Sequence, residues 1–138
     1  MQSSWPTLEG HSILVVDDDD ESRELLRVIL ASQGAVVTTA ASVSEARHLL
    51  EQRRPAVLIT DLAMPGEDGF RLMEHCRHHA SPEMQSLPIV ALTGYGTKQN
   101  EPRLIAAGFD AYVLKPVDPA EVGVAVRDLI VRKSSSAR

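Results

Sequence analysis

Four short apolar runs in this chain each end at a polar residue that could take part in chemistry. The first run ends at the pair Asp17 and Asp18, and the later ones end at Asp61, Thr93 and Lys115. If the runs are parallel strands, their carboxyl ends meet at one edge of a sheet, so these side chains would share a pocket. Carboxylates, a hydroxyl and an ammonium group together suit a divalent cation and a phosphoryl group.

The three aspartates would strongly affect one another in such a pocket. Carboxylates about 5 Å apart repel by ~3 kcal/mol per pair at an effective dielectric near ~20, so the pocket should attract a hard dication. Mg²⁺ fits best because it prefers oxygen ligands in an octahedral shell, and Mn²⁺ should substitute for it. A carboxylate beside such a cation could attack phosphorus and form an acyl phosphate, and Asp61 is the best-placed nucleophile.

Length, charge and cysteine content narrow the class of protein. The chain has 138 residues, of which 43% are hydrophobic, and this suits one domain with its own core. A net charge of -5 argues against direct binding of nucleic acid or membrane. The lone cysteine, Cys76, cannot form an internal disulfide, and residues 1–10 lack the apolar core of a secretory signal, so we expect a cytoplasmic location.

The pattern of apolar residues predicts the architecture. Residues 13–16, 57–59 and 89–92 are continuous apolar runs, as is typical of strands covered by helices on both faces. Further strands are expected at 35–39 and 112–114, and helices at 21–32, 42–50, 70–76, 101–107 and 118–130. Five strands alternating with five helices predict a doubly wound α/β domain over residues 11–132. Residues 1–10 and 133–138 are expected to be polar tails or linkers.

The helical periodicity also predicts which side chains face the core. The expected inward-facing residues are Leu25, Leu26, Ile29 and Leu30 in the first helix, Ala46, Leu49 and Leu50 in the second, Phe70, Met73 and Cys76 in the third, and Val122, Ala125, Val126, Leu129 and Ile130 in the last. Ser42 and Glu45 form a predicted capping box, and Asp118 before Pro119 is a predicted N-cap.

Four motifs, in their order along the chain, resemble the receiver domain of two-component response regulators. They are ILVVDDD at 13–19, TDLAMPGEDG at 60–69, ALTG at 91–94 and YVLKP at 112–116. The resemblance implies a flavodoxin-like (βα)5 fold with a five-stranded parallel sheet in the order 2-1-3-4-5 and helices on both faces. It also implies that Asp61 accepts a phosphoryl group from a phosphohistidine, carried by a sensor histidine kinase or a histidine phosphotransfer protein.

The resemblance further assigns roles to the residues around Asp61. Asp18 would bind Mg²⁺ directly, Asp17 would bind it mostly through water, and the backbone carbonyl of Ala63 would be another ligand. Thr93 would donate a hydrogen bond to one phosphoryl oxygen and Lys115 would pair with another. The peptide bond between Lys115 and Pro116 would be cis.

Switching is expected to follow from the charge that phosphorylation adds. Thr93 would be drawn toward the phosphoryl group, and Tyr112 would then turn inward, although Tyr112 could equally be a permanently half-buried core residue. The changed face would comprise the helix at 101–107, the fifth strand and the last helix, and it would bind a downstream protein effector or a second copy in a phosphorylation-dependent dimer. Because Ala63 offers no side chain to position water and Tyr95 could shield the site, we expect slow autodephosphorylation.

Several other interpretations are open at this stage. The chain could be a receiver from a hybrid sensor kinase, an interaction module that is never phosphorylated, or, more distantly, an aspartyl-phosphate hydrolase of the haloacid dehalogenase type. The hydrolase would want an aspartate two residues after its nucleophile, where this chain has Ala63. A receiver would catalyse its own phosphorylation and dephosphorylation but turn over no external metabolite. His75, His78 and His79 suggest zinc, but Cys76 among them lies on a predicted buried stripe.

Overall fold

The computed structural model describes residues 7–62, 68–94 and 101–136. Its strands are β1 (Ser12–Val16), β2 (Val36–Ala40), β3 (Val57–Asp61), β4 (Ile89–Thr93) and β5 (Ala111–Leu114). Its helices are α1 (Asp20–Ser32), α2 (Val43–Gln52), α3 (Gly69–Arg77), α4 (Pro82–Gln85), α5 (Glu101–Ala107) and α6 (Pro119–Ser136). All strand pairs are parallel and the sheet order is β2-β1-β3-β4-β5, which confirms the predicted fold.

The core is divided by the sheet into two layers. Because side chains alternate along a strand, Ile13 and Val15 of β1 face one layer, whereas Leu14 and Val16 face the other. The first layer is completed by α1 and α6, and the second by α2, α3, α4 and α5. Because the strands are covered by helices on both sides, their apolar runs are unbroken. Among the described residues, no helix is long and apolar enough to cross a bilayer.

The helix caps follow the sequence signals. The Ser42 side chain accepts a hydrogen bond from the Glu45 amide at 3.1 Å, and the Glu45 carboxylate accepts one from the Ala41 amide at 2.7 Å. Asp118 likewise accepts from the Ala120 amide at 2.8 Å. These bonds satisfy amides that have no partner within the helix, so they position the first turns of α2 and α6.

Two predicted core positions are wrong. Leu25 is 51% exposed and Phe70 is 37% exposed. In α1 the buried stripe is narrower than predicted and contains Leu26, Ile29 and Leu30. In α3 Leu72 is buried instead, and the rings of Phe70 and the buried Phe109 meet in a T-shaped contact, with 5.4 Å between ring centroids.

Structured residues are described on both sides of the predicted range of 11–132. Leu8 lies in the predicted tail but is fully buried in the α1–α6 layer, and its amide donates to the Gln33 carbonyl at 2.8 Å. Helix α6 continues to Ser136. The short helix α4 is an additional element, with Pro82 in its first turn and Met84 buried.

Arg77, at the end of α3, donates to three backbone carbonyls and one carboxylate. Its Nη1 donates to the carbonyls of Gln85 and Leu87 at 2.9 and 2.7 Å. Its Nε and Nη2 donate to the Gly108 carbonyl at 3.0 and 2.8 Å, and Nη2 also reaches Asp110 at 2.8 Å. The guanidinium therefore fastens the carboxyl end of α5 to α3 and to the segment before β4.

Candidate functional site

Three carboxylates meet at the carboxyl edge of the sheet. Asp17 and Asp18 follow β1, and Asp61 ends the adjacent strand β3, where Val16 is aligned with Thr60. One carboxylate oxygen from each aspartate lies within 4.8 Å of the others. Asp17 is fully buried, Asp61 is 9% exposed and Asp18 is exposed to solvent. We call these aspartates, together with Thr93 and Lys115, the acidic pocket.

Lys115 is the cation of the acidic pocket. Its Nζ lies 2.9 Å from Asp17 Oδ2 and 3.4 Å from Asp61 Oδ2. Burial opposes the charge of Lys115, but the hydrogen bond to Asp17 and the charges of Asp17 and Asp61 outweigh burial and raise the pKa of the ammonium group. The Lys115 amide donates to the Thr93 carbonyl at 2.7 Å, and the bond to Pro116 is cis, as the resemblance implies.

The hydroxyl of Thr93 is buried without a hydrogen-bond partner among the described residues. Thr93 is the last residue of β4 and is only 3% exposed. A buried hydroxyl with no partner costs free energy, so such groups in native proteins usually have a reason to be there. An oxygen ligand at this edge of the sheet would supply the missing partner.

Local backbone contacts hold the aspartates in place. The Asp17 carbonyl accepts from Arg23 Nη1 at 2.8 Å, and one carboxylate oxygen of Asp17 accepts from the Asp19 amide at 3.0 Å. The Asp61 carbonyl accepts from the Thr60 hydroxyl at 3.0 Å. It also lies so close to Gly69 that a Cβ there would be 2.3 Å from it. Arg23 and Gly69 are supporting residues that the sequence analysis missed.

The run of four aspartates divides into different roles. Asp19 is the N-cap of α1, and its carboxylate accepts from the Ser22 amide at 2.8 Å, which lowers the pKa of Asp19. Asp20 pairs with Arg23 on the exposed side of the same helix. Only Asp17 and Asp18 therefore face Asp61. The sequence did contain a signal for this division. Asp19 stands between a strand and the first helical turn, which contains Glu21 and Ser22, and an aspartate in that position commonly caps the helix.

Some predicted site residues are not tested by this geometry. Ala63 and Tyr95, and with them the predictions about a carbonyl ligand and phosphoryl lifetime, lie outside the described residues. Tyr112 is half-buried and packs against the α2–α5 layer, a position that fits either of its two proposed roles. Cys76 is fully buried, and burial raises the pKa of its thiol to about 11, so it is a core residue.

The donor set of the acidic pocket fits a hard divalent cation. Carboxylate oxygens are the ligands that Mg²⁺ and Mn²⁺ prefer, and the exposure of Asp18 leaves room for retained water. The ammonium group of Lys115, and the Thr93 hydroxyl that has no partner in the described part of the chain, would let the acidic pocket bind a phosphoryl group as well as a metal. A five-stranded sheet in the order 2-1-3-4-5 with this pocket at its carboxyl edge defines a flavodoxin-like receiver.

Comparison with known proteins identifies the family. The profile of the response regulator receiver domain matches residues 13–127, and the chain belongs to this family. It is 44% identical over 116 residues to an uncharacterized 14.6 kDa protein of Leptolyngbya boryana, covering 84% of this chain and 87% of that protein. It is 36% identical over 127 residues to the response regulator Rre1 of a Synechocystis species, covering 91% of this chain but 54% of Rre1.

A solved structure supports the same assignment. A candidate response regulator from Chloroflexus aurantiacus superimposes with a TM-score of 0.82 and 36% sequence identity, covering 88% of this chain and 98% of that one. The chain thus spans nearly all of some relatives and about half the length of others. It is a receiver domain of two-component signalling.

Proposed function

We propose that this receiver domain accepts a phosphoryl group on Asp61 from the phosphohistidine of a sensor histidine kinase or a histidine phosphotransfer protein. The observation that carries the proposal is the convergence of the three carboxylates within 4.8 Å, with Lys115 bridging Asp17 and Asp61. An interaction module without phosphorylation would gain nothing from such a repulsive cluster.

The acidic pocket would also hold the metal ion that the reaction needs. Asp17, Asp18 and Asp61 supply oxygen donors suited to Mg²⁺, with Mn²⁺ as a substitute. When bound, the ion would neutralise negative charge on the phosphoryl oxygens. Because Lys115 pairs with Asp17 and Asp61, whereas Asp18 is exposed to solvent, the carboxylate of Asp18 is the one most available to the ion.

The protein's own groups would then act on the phosphoryl group. A carboxylate oxygen of Asp61 attacks phosphorus while the bond from phosphorus to the donor imidazole breaks, and the imidazole leaves with the electron pair. Lys115, 3.4 Å from Asp61, would pair with one phosphoryl oxygen as charge spreads over them. The Thr93 hydroxyl would donate to another phosphoryl oxygen, which would supply a partner that the described residues do not.

The consequence would be a signal rather than metabolic turnover. The domain would catalyse its own phosphorylation and dephosphorylation in the cytoplasm, where kinases have access to ATP. Movement of Thr93 toward the phosphoryl group would alter the face formed by α5, β5 and α6. That face exposes Ile105 and Leu114, which are 47% and 36% exposed, and apolar side chains of this kind suit a protein effector or a second receiver.

Labelling with a small phosphodonor tests the proposal. Acetyl phosphate and Mg²⁺ should add one phosphoryl group to the protein, measured by intact mass, and chelation of Mg²⁺ should abolish the addition. Asp61→Asn should not be labelled, whereas Asp128→Asn, which changes an exposed aspartate of α6, should behave as the unmodified protein. An unlabelled wild-type protein, or a labelled Asp61→Asn variant, would refute the assignment.

The signalling face needs a separate test. Beryllofluoride, which mimics a phosphoryl group on aspartate, should shift backbone amide resonances across residues 101–128 in addition to those of the acidic pocket. If the shifts stay confined to the acidic pocket, phosphorylation does not act through α5, β5 and α6.

A further inference from the structure

A second polar cluster lies at the opposite edge of the sheet from the acidic pocket. Glu51 is in the last turn of α2, His75 is in the last turn of α3, and His79 follows two residues after α3 ends. Both helices run from the carboxyl edge of the sheet to its amino edge, so their ends meet far from Asp61. We call these three residues the histidine cluster.

The side chains of the histidine cluster converge on one carboxylate. Nε2 of His75 is 3.2 Å from Glu51 Oε2, and Nε2 of His79 is 2.9 Å from the same oxygen and 3.1 Å from Oε1. The three ligand atoms lie within 4.8 Å of one another. In a tetrahedral zinc site with bonds of about 2.0 to 2.1 Å, neighbouring ligand atoms are about 3.3 to 3.4 Å apart, which is close to the two imidazole–carboxylate distances.

We propose that the histidine cluster is a zinc site, with Nε2 of His75, Nε2 of His79 and the Glu51 carboxylate as ligands and water in the fourth position. Two imidazoles and one carboxylate suit zinc, whereas the oxygen donors of the acidic pocket suit Mg²⁺. Cys76 is not a ligand because it is fully buried in the α2–α5 layer, and His78 is exposed and makes none of these contacts.

Zinc binding would change the proton arrangement of His79. Its Nδ1 lies 3.0 Å from the Ser81 amide, and because an amide can only donate, Nδ1 accepts and the proton of the neutral ring is on Nε2. Zinc would replace that Nε2 proton, and the ring would then carry its proton on Nδ1. The Nδ1–H would then face the Ser81 N–H and could no longer accept from it, so zinc binding would break this hydrogen bond and have a local signature outside the ligands themselves.

Zinc titration of tag-free protein tests the proposal. The titration is read by competition with a chromophoric chelator and is run with excess Mg²⁺ to occupy the acidic pocket. One zinc ion should bind, and the Ser81 amide resonance should shift. His75→Ala, His79→Ala and Glu51→Gln should each weaken binding by about tenfold or more, while His78→Ala should leave it unchanged.

The variants also distinguish loss of ligands from loss of folding. Each should retain the circular dichroism spectrum and zinc-free melting temperature of the wild type, because the cluster is partly exposed. Absence of zinc binding under excess Mg²⁺ would overturn the proposal. Binding that persists in the His75→Ala, His79→Ala double variant would overturn it too, since the ion would then occupy a different site.

Discussion

The acidic pocket and the histidine cluster differ in how their charge is balanced. In the acidic pocket three carboxylates share one ammonium group, so negative charge is in excess. In the histidine cluster two imidazoles surround one carboxylate, and each can direct a ring N–H at it. The excess negative charge of the acidic pocket is balanced only when a cation binds. In the histidine cluster the ring N–H groups can satisfy the carboxylate without a metal. The two edges of one sheet should therefore respond differently to metal, to pH and to substitution.

The largest expected effect comes from Gly69→Ala. The new Cβ would lie 2.3 Å from the Asp61 carbonyl, so α3 or β3 must move, and we expect a loss of about 3 kcal/mol in the free energy of unfolding. Phosphorylation should fall with it. Gly94→Ala is the matched control, because a Cβ there meets no described atom within 4 Å, and its effect should stay within about 0.5 kcal/mol. Urea unfolding of both variants measures the difference, and equal losses would contradict the close contact.

A smaller loss is expected from Lys115→Met. Removing the ammonium leaves the buried carboxylate of Asp17 without its charged partner. Because Lys115 is 25% exposed, we expect about 2 kcal/mol, less than the ~3 to 5 kcal/mol typical of fully buried pairs. The same substitution in an Asp17→Asn background should cost clearly less, as measured by a double-mutant cycle in chelator. A cost that is identical in both backgrounds would show that the pair does not stabilise the fold.

The raised pKa of Lys115 sets the pH range of this contribution. The ammonium is favoured in the folded state, so its stabilisation is complete below the unfolded pKa of 10.5 and is lost as pH rises through the higher folded value. The stability difference between wild type and Lys115→Met should thus be constant at neutral pH and shrink only in strong alkali. A difference that disappears between pH 6 and pH 9 would contradict this assignment.

Removal of Mg²⁺ should have a more modest effect. At about ten times its dissociation constant, a ligand that binds only the folded state adds about 1.4 kcal/mol. The melting temperature should therefore rise with Mg²⁺ and fall again with chelator. Asp61→Asn should reduce the rise, and Glu51→Gln should not. If Glu51→Gln abolished the rise, Mg²⁺ would be acting at the histidine cluster and the comparison between the two edges would fail.

The smallest effect is expected for Glu51→Gln without metal. Burial opposes ionisation of Glu51, but the hydrogen bonds from His79 and His75 outweigh it and lower the pKa of the carboxylate. Any stabilisation is present above the unfolded value of 4.5 and is lost as pH falls through the lowered one. Since the side chain is 46% exposed, solvent screens the pair, and the midpoint of urea unfolding at neutral pH should not change measurably. A clear loss would mean that the cluster is structural.

The two edges also differ in how far the sequence predicts them. Asp17, Asp61 and Lys115 follow or end parallel strands of one sheet, so their meeting follows from the strand order that the family resemblance implies. The pairing of Glu51 with His75 and His79 depends on how α2 packs on α3, which no local pattern encodes. The close approach of Gly69 to the Asp61 carbonyl also depends on tertiary packing, so no local pattern predicts it. Leu25 was misassigned because helical periodicity predicts an apolar stripe without its exact width, and tertiary packing decides which edge residue is covered.

The bonds of Arg77 have a mechanical consequence for α5. They fix the carboxyl end of this helix at Gly108, whereas its amino end, at Glu101, is the end nearer to Thr93 along the chain. If Thr93 moves toward a phosphoryl group as proposed, α5 should accordingly tilt about its fixed carboxyl end rather than slide along the sheet. Seven residues at about 1.5 Å each form a lever of roughly 10 Å. A partner docked on this helix would then sense a change of angle, greatest at the end farthest from the guanidinium.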